Sequence, residues 1–200
     1  MADGFLPPER YGERMEAFGR YLNIIDVEAT CWDGPPPPGQ VSEIIEVGLC
    51  VIDTITLERQ ERHRLLVRPQ RSTISAFCTG LTGITSDEVA DGLTFQEACD
   101  VLHKRHYATS RSWASWGDYD RRQFERQCRV QGLPYPFSSR HTNVKAVFTQ
   151  AFKLPRKPGM SEALVYAGLP LEGRHHRGED DAWNIAALAL LLMRQGEWPG

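Results

Sequence analysis

Apolar and polar residues recur along the chain with two different periods, and the change of period divides it into strands and helices. Three runs typical of strands come first, at residues 21–27, 43–52 and 61–68, and the last two predict a meander. Helical patterns then alternate with short strand-like runs. We predict helices at residues 94–106, 121–130, 145–152, 161–167 and 181–194, and strands at 112–117 and 141–144. This order is typical of an α/β fold with a mixed sheet flanked by helices.

Local signals support the two helices with the clearest patterns. Thr94 and Glu97 have the spacing of a capping box, which predicts the start of one helix. In the last helix, Ile185, Leu188 and Leu192 share an apolar stripe, and a glycine follows its end. Residues 69–85 show neither period and are predicted to form a loop. The four prolines at 35–38 predict a stiff loop in preference to a docking motif.

Composition is that of an ordinary soluble globular protein. At 200 residues the chain is long enough for one domain, which we predict at residues 21–196 after an N-terminal extension at 1–20. The net charge of −3 gives no overall attraction to a polyanion, and the apolar runs are too short to cross a bilayer. The five cysteines are scattered and form no CxxC motif, so we expect free thiols and a cytoplasmic location.

The first strand ends with two acids separated by one residue. Asp26 and Glu28 stand at positions i and i+2, which place both carboxylates on the same face of a strand. Two carboxylates held side by side repel each other, and a divalent metal ion is the usual counter-charge. The pair therefore indicates a metal site if other elements supply further ligands.

A second acidic position follows the strand predicted at 112–117. Asp118 and Asp120 are both candidates. Asp120 shares a helical stripe with Phe124 and Cys128, so its side chain is predicted to point toward the sheet. Asp118 falls on the turn between strand and helix, where a capping or solvated role is more natural. We favour Asp120.

A third acidic position lies at the start of the last helix. Asp181 shares the stripe of Ile185 and is predicted to face the core, whereas Asp180 lies about 100° around the helix. His176 precedes Asp181 by five residues, and a neutral imidazole at that place can act as a general base near pH 7. A pairing of Asp180 with His175 has the same spacing and stays open.

Four segments, in order along the chain, resemble the motifs of the DEDDh 3′–5′ exonucleases, the group of DnaQ and RNase T. They are DVEAT, SEIIEVG, WGDYDRRQF and HHRGEDDAWNIA. Two more, FCTGLTGIT and RHTNVKAVF, are similar to a narrower branch, the histone-mRNA 3′-exonuclease and KapD-like proteins. The resemblance covers nearly all of residues 21–194.

The resemblance implies an RNase H-like fold whose five-stranded sheet carries the first acids on its central strand. It implies metal ligation by Asp26, Glu28, Asp120 and Asp181, with Glu28 also catalytic and His176 as the general base. Two divalent ions, Mg²⁺ or Mn²⁺, would be the cofactors of this hydrolase. The expected activity is 3′–5′ exonuclease cleavage that releases nucleoside 5′-monophosphates.

The expected partner is the 3′ end of a single-stranded nucleic acid, with RNA favoured and no membrane involved. By resemblance Leu81 lies against a base, and Ala29, Thr30 and His176 lie near the 3′ end. A DNA-directed exonuclease and an inactive nucleic-acid-binding module are the alternatives. Basic clusters that could steer phosphates are Lys153 with Arg156 and Lys157, Arg140 with Lys145, and Arg174 with Arg177.

Overall fold

The computed structural model describes residues 19–199, and their strands form one mixed sheet. The strands are β1 (Tyr21–Ala29), β2 (Ile44–Asp53), β3 (Glu58–Leu66), β4 (Ser112–Ser115) and β5 (His141–Asn143), in the spatial order β3-β2-β1-β4-β5. The first three pair antiparallel, as a meander does, while β4 and β5 run parallel to β1. The predicted mixed five-stranded sheet is thus confirmed, with β1 at its centre.

Helices cover both faces of this sheet. Those complete within residues 19–199 are α1 (Ala76–Thr82), α2 (Ser86–Ala90), α3 (Phe95–His106), α4 (Tyr119–Gln131), α5 (Val144–Ala151), α6 (Met160–Ala167) and α7 (Gly178–Arg194). The long, apolar α7 packs against β1 and β2. Its place beside the central strand brings the last acidic segment to the first.

The alternation of side chains along β1 and β2 explains why both strands are largely apolar. On one face Ile24 and Cys50 pack with Ile185 of α7. On the other face Ile25 packs with Leu102 of α3 in a second cluster. A strand that is buried on both faces has no solvent side, and so its sequence shows a continuous apolar run.

Most predicted elements agree with the structure to within a few residues. The capping box at Thr94 and Glu97 is confirmed, with both reciprocal hydrogen bonds formed. The last helix begins at Gly178, three residues before the predicted start at 181. The N-terminal extension predicted at 1–20 falls almost entirely outside the described residues, so it and the domain limits of 21–196 stay predictions.

The prediction of a loop at residues 69–85 is wrong, because α1 lies within it. Ser75 caps α1 by accepting a hydrogen bond from the Cys78 backbone N–H, and Gly83 ends it in the left-handed conformation at φ 76°. A helix of 7 residues is too short to show an amphipathic period. Its stability comes from tertiary packing, since Cys78 is fully buried against Ile45.

The start of α7 lies directly on the backbone of β2. A Cβ atom added at Gly48 would stand 1.9 Å from the carbonyl carbon and oxygen of Gly178. A Cβ atom at Gly178 would stand 3.1 Å from the carbonyl oxygen of Asp26. Two glycines therefore allow the first turn of the helix to reach the strand pair at the position of the first acid.

Replacement of Gly48 by alanine should destabilise the protein by about 1–3 kcal/mol or more, because the methyl group would push α7 away from the sheet. Urea unfolding measures the change. Gly80→Ala is the matched control, since an added Cβ there meets no atom within 4 Å and α1 gains a better helix former. Equal stability of the Gly48 and Gly80 variants would contradict the close approach.

Candidate active site

A cleft of about 400 Å³ opens where β1 ends, beside the first turns of α4, α6 and α7. These elements converge there because β1 is central and the N-termini of the three helices meet at its carboxyl end. The cleft is lined by Asp26, Val27, Glu28, Ala29, Cys31, Leu81, Trp116, Tyr119, Asp120, Lys145, Gly159, Met160, His175, His176 and Asp181.

The two acids of β1 enter the cleft from one strand face, as their spacing predicts. In the register with β2, Asp26 lies opposite Gly48 and Glu28 lies opposite Glu46. Like charges directly opposite each other destabilise an antiparallel pair. Glu46 is fully buried, and its carboxylate is within 3.3 Å of the Arg64 guanidinium.

Glu46 is an acid that the sequence analysis did not single out. Besides Arg64, it accepts a hydrogen bond of 3.0 Å from the Glu179 backbone N–H in the first turn of α7. The signal for it was available, because Glu46 stands in the middle of an apolar strand within the SEIIEVG segment. Its partners make it a link between β2, β3 and α7.

The structure places Asp120 in the cleft and Asp118 outside its lining. Asp120 is 3% exposed, and its Oδ1 accepts a hydrogen bond of 3.0 Å from the Val27 backbone N–H. Asp118 instead accepts a hydrogen bond of 3.1 Å from Asn143 and lies 3.4 Å from the Arg121 guanidinium. The cleft thus contains Asp120 and not Asp118, which agrees with the preference for Asp120 that the helical stripe gave.

At the start of α7, Asp181 lines the cleft and Asp180 does not. Asp181 accepts hydrogen bonds of 3.0 Å from His175 Nδ1 and from the His176 backbone N–H. Asp180 accepts a hydrogen bond of 2.7 Å from the Arg174 backbone N–H and pairs with Arg62. The contacts of Asp180 therefore connect the loop before α7 to β3.

The cleft carboxylates lie close together, and two of them have no cationic partner among the described residues. Ligand oxygens of Asp26, Glu28 and Asp181 are within 4.8 Å of one another. Within residues 19–199, neither Asp26 nor Glu28 forms an ion pair. The chemistry of this donor set, several oxygens and an unbalanced negative charge, fits a hard divalent cation such as magnesium or manganese.

The pKa values of these carboxyl groups show the same imbalance. Burial is the main cause that raises the pKa of Asp26 well above its usual value, and the negative charge of the nearby Asp120 is the second cause. Burial and the charge of Asp181 raise the pKa of Glu28 to about 8. Burial also raises the pKa of Asp120, to about 6, although its hydrogen bonds act in the opposite direction. A bound cation would reverse these shifts.

Two adjacent histidines line the cleft beside Asp181. Their rings stack at a centroid distance of 4.0 Å, and His176 has a left-handed backbone at φ 64°. The His175 side chain forms a hydrogen bond to Asp181 through Nδ1, whereas His176 donates to that carboxylate from its backbone N–H. Burial, aided by the charge of His175, lowers the pKa of His176, so its imidazole is neutral near pH 7.

Only some of the residues predicted to contact substrate line the cleft. Ala29 and Leu81 line the cleft, and the Leu81 side chain on α1 is 37% exposed. Thr30 does not line it, because its buried hydroxyl accepts from the Glu43 backbone N–H at 2.9 Å and donates to the Val41 carbonyl at 3.2 Å.

Further cleft residues were missed by the sequence analysis as contact candidates. Tyr119 is 56% exposed, and Trp116 and Met160 add apolar surface beside it. The signal for Tyr119 was its place between the two acids of the WGDYDRRQF segment. Of the basic residues proposed to steer phosphates, Lys145 lines the cleft, whereas Arg156 is paired with Glu162 on the surface.

With this geometry in place, comparison with known proteins gives the family. The model of the Exonuclease family (RNase T) matches residues 24–189. The chain belongs to this exonuclease family. Human 3′-5′ exoribonuclease 1 is 34% identical over 191 residues, which are 90% of this chain and 54% of that protein. The Drosophila melanogaster 3′-5′ exonuclease Snipper is 27% identical, over 88% of this chain and 70% of that protein.

Solved structures agree with this assignment. The nuclease domain of 3′hExo, described as a DEDDh family member bound to rAMP, superposes with a TM-score of 0.79 and 33% identity. The match covers 90% of this chain and 94% of that domain. The resemblance to DEDDh exonucleases and the RNase H-like fold class are thereby confirmed.

The match to longer relatives is partial. This chain spans about half the length of human 3′-5′ exoribonuclease 1, and 30% of mouse ERI1 exoribonuclease 2.

Among the described helices, none combines the length and the apolar character that a membrane crossing requires.

The carboxylate cluster should make the metal-free protein less stable as the pH rises from about 7 to about 8. The folded-state pKa of Glu28, about 8, exceeds its unfolded value. The folded state therefore holds a proton that the unfolded state lacks, and the associated stability disappears as the pH rises through the folded pKa. Urea unfolding in EDTA measures the slope.

Saturating Mg²⁺ should flatten this slope, and Glu28→Gln should reduce it in EDTA. Three described histidines have lowered pKa values, His106 and His141 at about 4 and His176 below its usual value, so all three affect stability mainly below pH 7. An identical slope with and without Mg²⁺ would show that the cluster does not bind the ion.

Proposed function

We propose that this chain is a metal-dependent 3′–5′ exonuclease that hydrolyses the terminal phosphodiester of single-stranded RNA and releases nucleoside 5′-monophosphates. The observation that carries the proposal is the convergence of Asp26, Glu28, Asp120 and Asp181 with His176 in one cleft. The name of the human relative, an exoribonuclease, favours RNA over DNA. A cytoplasmic location stays a prediction.

The four acids would hold Mg²⁺ or Mn²⁺, and we propose two ions, because this number of carboxylates exceeds what one ion needs. Such ions supply a lowered pKa for the attacking water and offset the charge that develops on the phosphate and the leaving oxygen. The backbone N–H of Val27 orients Asp120, and His175 orients Asp181. These two carboxylates are thus held in place before substrate arrives.

We assign the general base to His176. Its lowered pKa keeps the imidazole neutral, and within residues 19–199 its ring forms no hydrogen bond, so a nitrogen is free to take the proton of the attacking water. The stacked His175 has its Nδ1 committed to Asp181, which is a positioning role. Lys145, whose charge already favours the ionised form of Asp120, is placed to contact a phosphate.

The terminal nucleotide would lie against the apolar wall of the cleft. Leu81 and Ala29 offer surface for a base and a sugar, and Tyr119 offers an exposed ring on which a base can stack. Contacts of this kind do not depend on base identity. Any contact from Thr30 would be through its backbone, because its hydroxyl is used within the protein.

A substrate panel tests the proposed activity. We expect Mg²⁺- or Mn²⁺-dependent shortening of a single-stranded RNA from its 3′ end, abolished by EDTA or by a blocked 3′ terminus and unaffected by a blocked 5′ terminus. Gel analysis of end-labelled oligonucleotides and chromatography of the products measure it. Asp181→Ala is the inactive control, since it removes a carboxylate from the cluster.

Other outcomes would change the assignment. Equal or faster cleavage of matched DNA would make the chain a DNA-directed exonuclease. Binding of single strands without cleavage of any of them would make it a nucleic-acid-binding module.

Paired histidine variants test the assigned base. We expect His176→Ala to lower kcat about 10²–10⁴-fold with a small change in KM, as for a lost general base. His175→Ala should cost less, because Asp181 keeps its hydrogen bond from the His176 backbone. Steady-state kinetics on a short RNA measures both. Full activity of the His176 variant together with a large loss in the His175 variant would transfer the role to His175.

A further inference from the structure

On the sheet face opposite to the catalytic acids, an imidazole–carboxylate cluster lies between the edge strand β3 and the end of α3. Glu61 and His63 stand at positions i and i+2 of β3, opposite Val51 and Leu49 of the apolar cluster that α3 covers. His106 is the last residue of α3. One ligand atom from each of the three side chains lies within 4.8 Å of the other two.

His106 is the unusual member of the cluster. It is 5% exposed, and its Nδ1 is buried without a hydrogen-bond partner among residues 19–199. A buried polar nitrogen without a partner is costly, so a ligand that bound it would remove this cost. Burial lowers the pKa of His106 to about 4, as expected for an imidazole enclosed by the core.

The two β3 side chains are already arranged beside each other. His63 Nε2 lies 2.8 Å from Glu61 Oε2, and the rings of His63 and His106 are 4.4 Å apart between centroids. The side chains of Glu61 and His63 are 56% and 37% exposed, so both can turn toward the buried His106. An ion can therefore enter from solvent, while its third ligand is held by the core.

We propose that Glu61, His63 and His106 form a zinc site that joins β3 to the end of α3. Two imidazoles and one carboxylate are a ligand set that zinc accepts, with water in the fourth position. The same set suits Mg²⁺ poorly, since that ion prefers oxygen ligands. The site differs from the catalytic cleft in its ligand chemistry and in the face of the sheet that it occupies.

The charges around His106 are mixed, and Glu61 is the acid among them. Arg111 and Arg105 add positive charge near His106, and Glu61 opposes it. The Arg111 guanidinium lies over the rings of Tyr21 and Tyr107, at 4.9 and 5.1 Å from their centroids. The Asn23 side-chain amide donates to the His106 carbonyl at 2.9 Å, which anchors the histidine to the central strand. Bound zinc would connect the edge strand to this anchor.

Zinc titration of the full chain tests the proposal. We expect the wild type to bind one more Zn²⁺ than His63→Asn or Glu61→Gln, measured by competition with a chromophoric chelator in excess Mg²⁺. His103→Asn is the matched control, because that exposed histidine on the same helix contacts Thr109 and lies outside the cluster. Zinc held by the cleft or by cysteines would be the same in all of these proteins.

Two further measurements give independent readouts. Co²⁺ in the wild type should show the visible absorption of a tetrahedral site, and His63→Asn should remove that component. Zinc at about 100 times its Kd should raise the Tm of the wild type by about 5–10 °C more than that of His63→Asn. The exonuclease rate of His63→Asn in Mg²⁺ should equal that of the wild type, which shows that the variant is folded.

An equal number of zinc ions bound by the wild type, His63→Asn and Glu61→Gln would overturn the proposal. Loss of an ion in the His103→Asn control would also contradict it, because the ligand would then lie elsewhere on α3.

Discussion

Repulsion between buried carboxylates is the constraint on which the site depends. Asp26, Glu28 and Asp181 come within 4.8 Å of one another because backbone packing holds them there. The contact of the α7 backbone with β2 at Gly48 supplies this packing, and the apolar stripe of α7 on the sheet stabilises it. The hydrophobic core thus offsets the electrostatic cost of a pocket that is ready to bind cations.

The acids in this region divide into two groups according to their partners. Glu46 and Asp180 are paired with arginines of β3 and join that strand to the start of α7. Asp26 and Glu28, only a few ångströms away, form no ion pair with any described residue. Among the described residues, the fold thus pairs Glu46 and Asp180 with arginines and leaves Asp26 and Glu28 without an ion-pair partner. This difference in pairing distinguishes Asp26 and Glu28, two of the proposed metal ligands, from Glu46 and Asp180.

The two faces of the sheet carry different ligand chemistry. The face under α7 presents oxygen ligands at the end of the central strand. The face under α3 presents two imidazoles and one carboxylate near the edge strand. Since side chains alternate along a strand, one short sheet can display both sets without contact between them. The edge strand β3 takes part in both faces, through Arg62 and Arg64 on one side and His63 on the other.

The sequence by itself determined the sheet class, the capping box at Thr94, and the acids and histidines offered as ligands, because period and spacing are local properties. It could not show α1, whose 7 residues are stabilised by burial of Cys78 and not by their own pattern. Nor could it show that Thr30 turns its hydroxyl away from the cleft or that Glu46 joins two strands and a helix. Only the tertiary structure decided these points, because each depends on contacts between residues that are far apart in the chain.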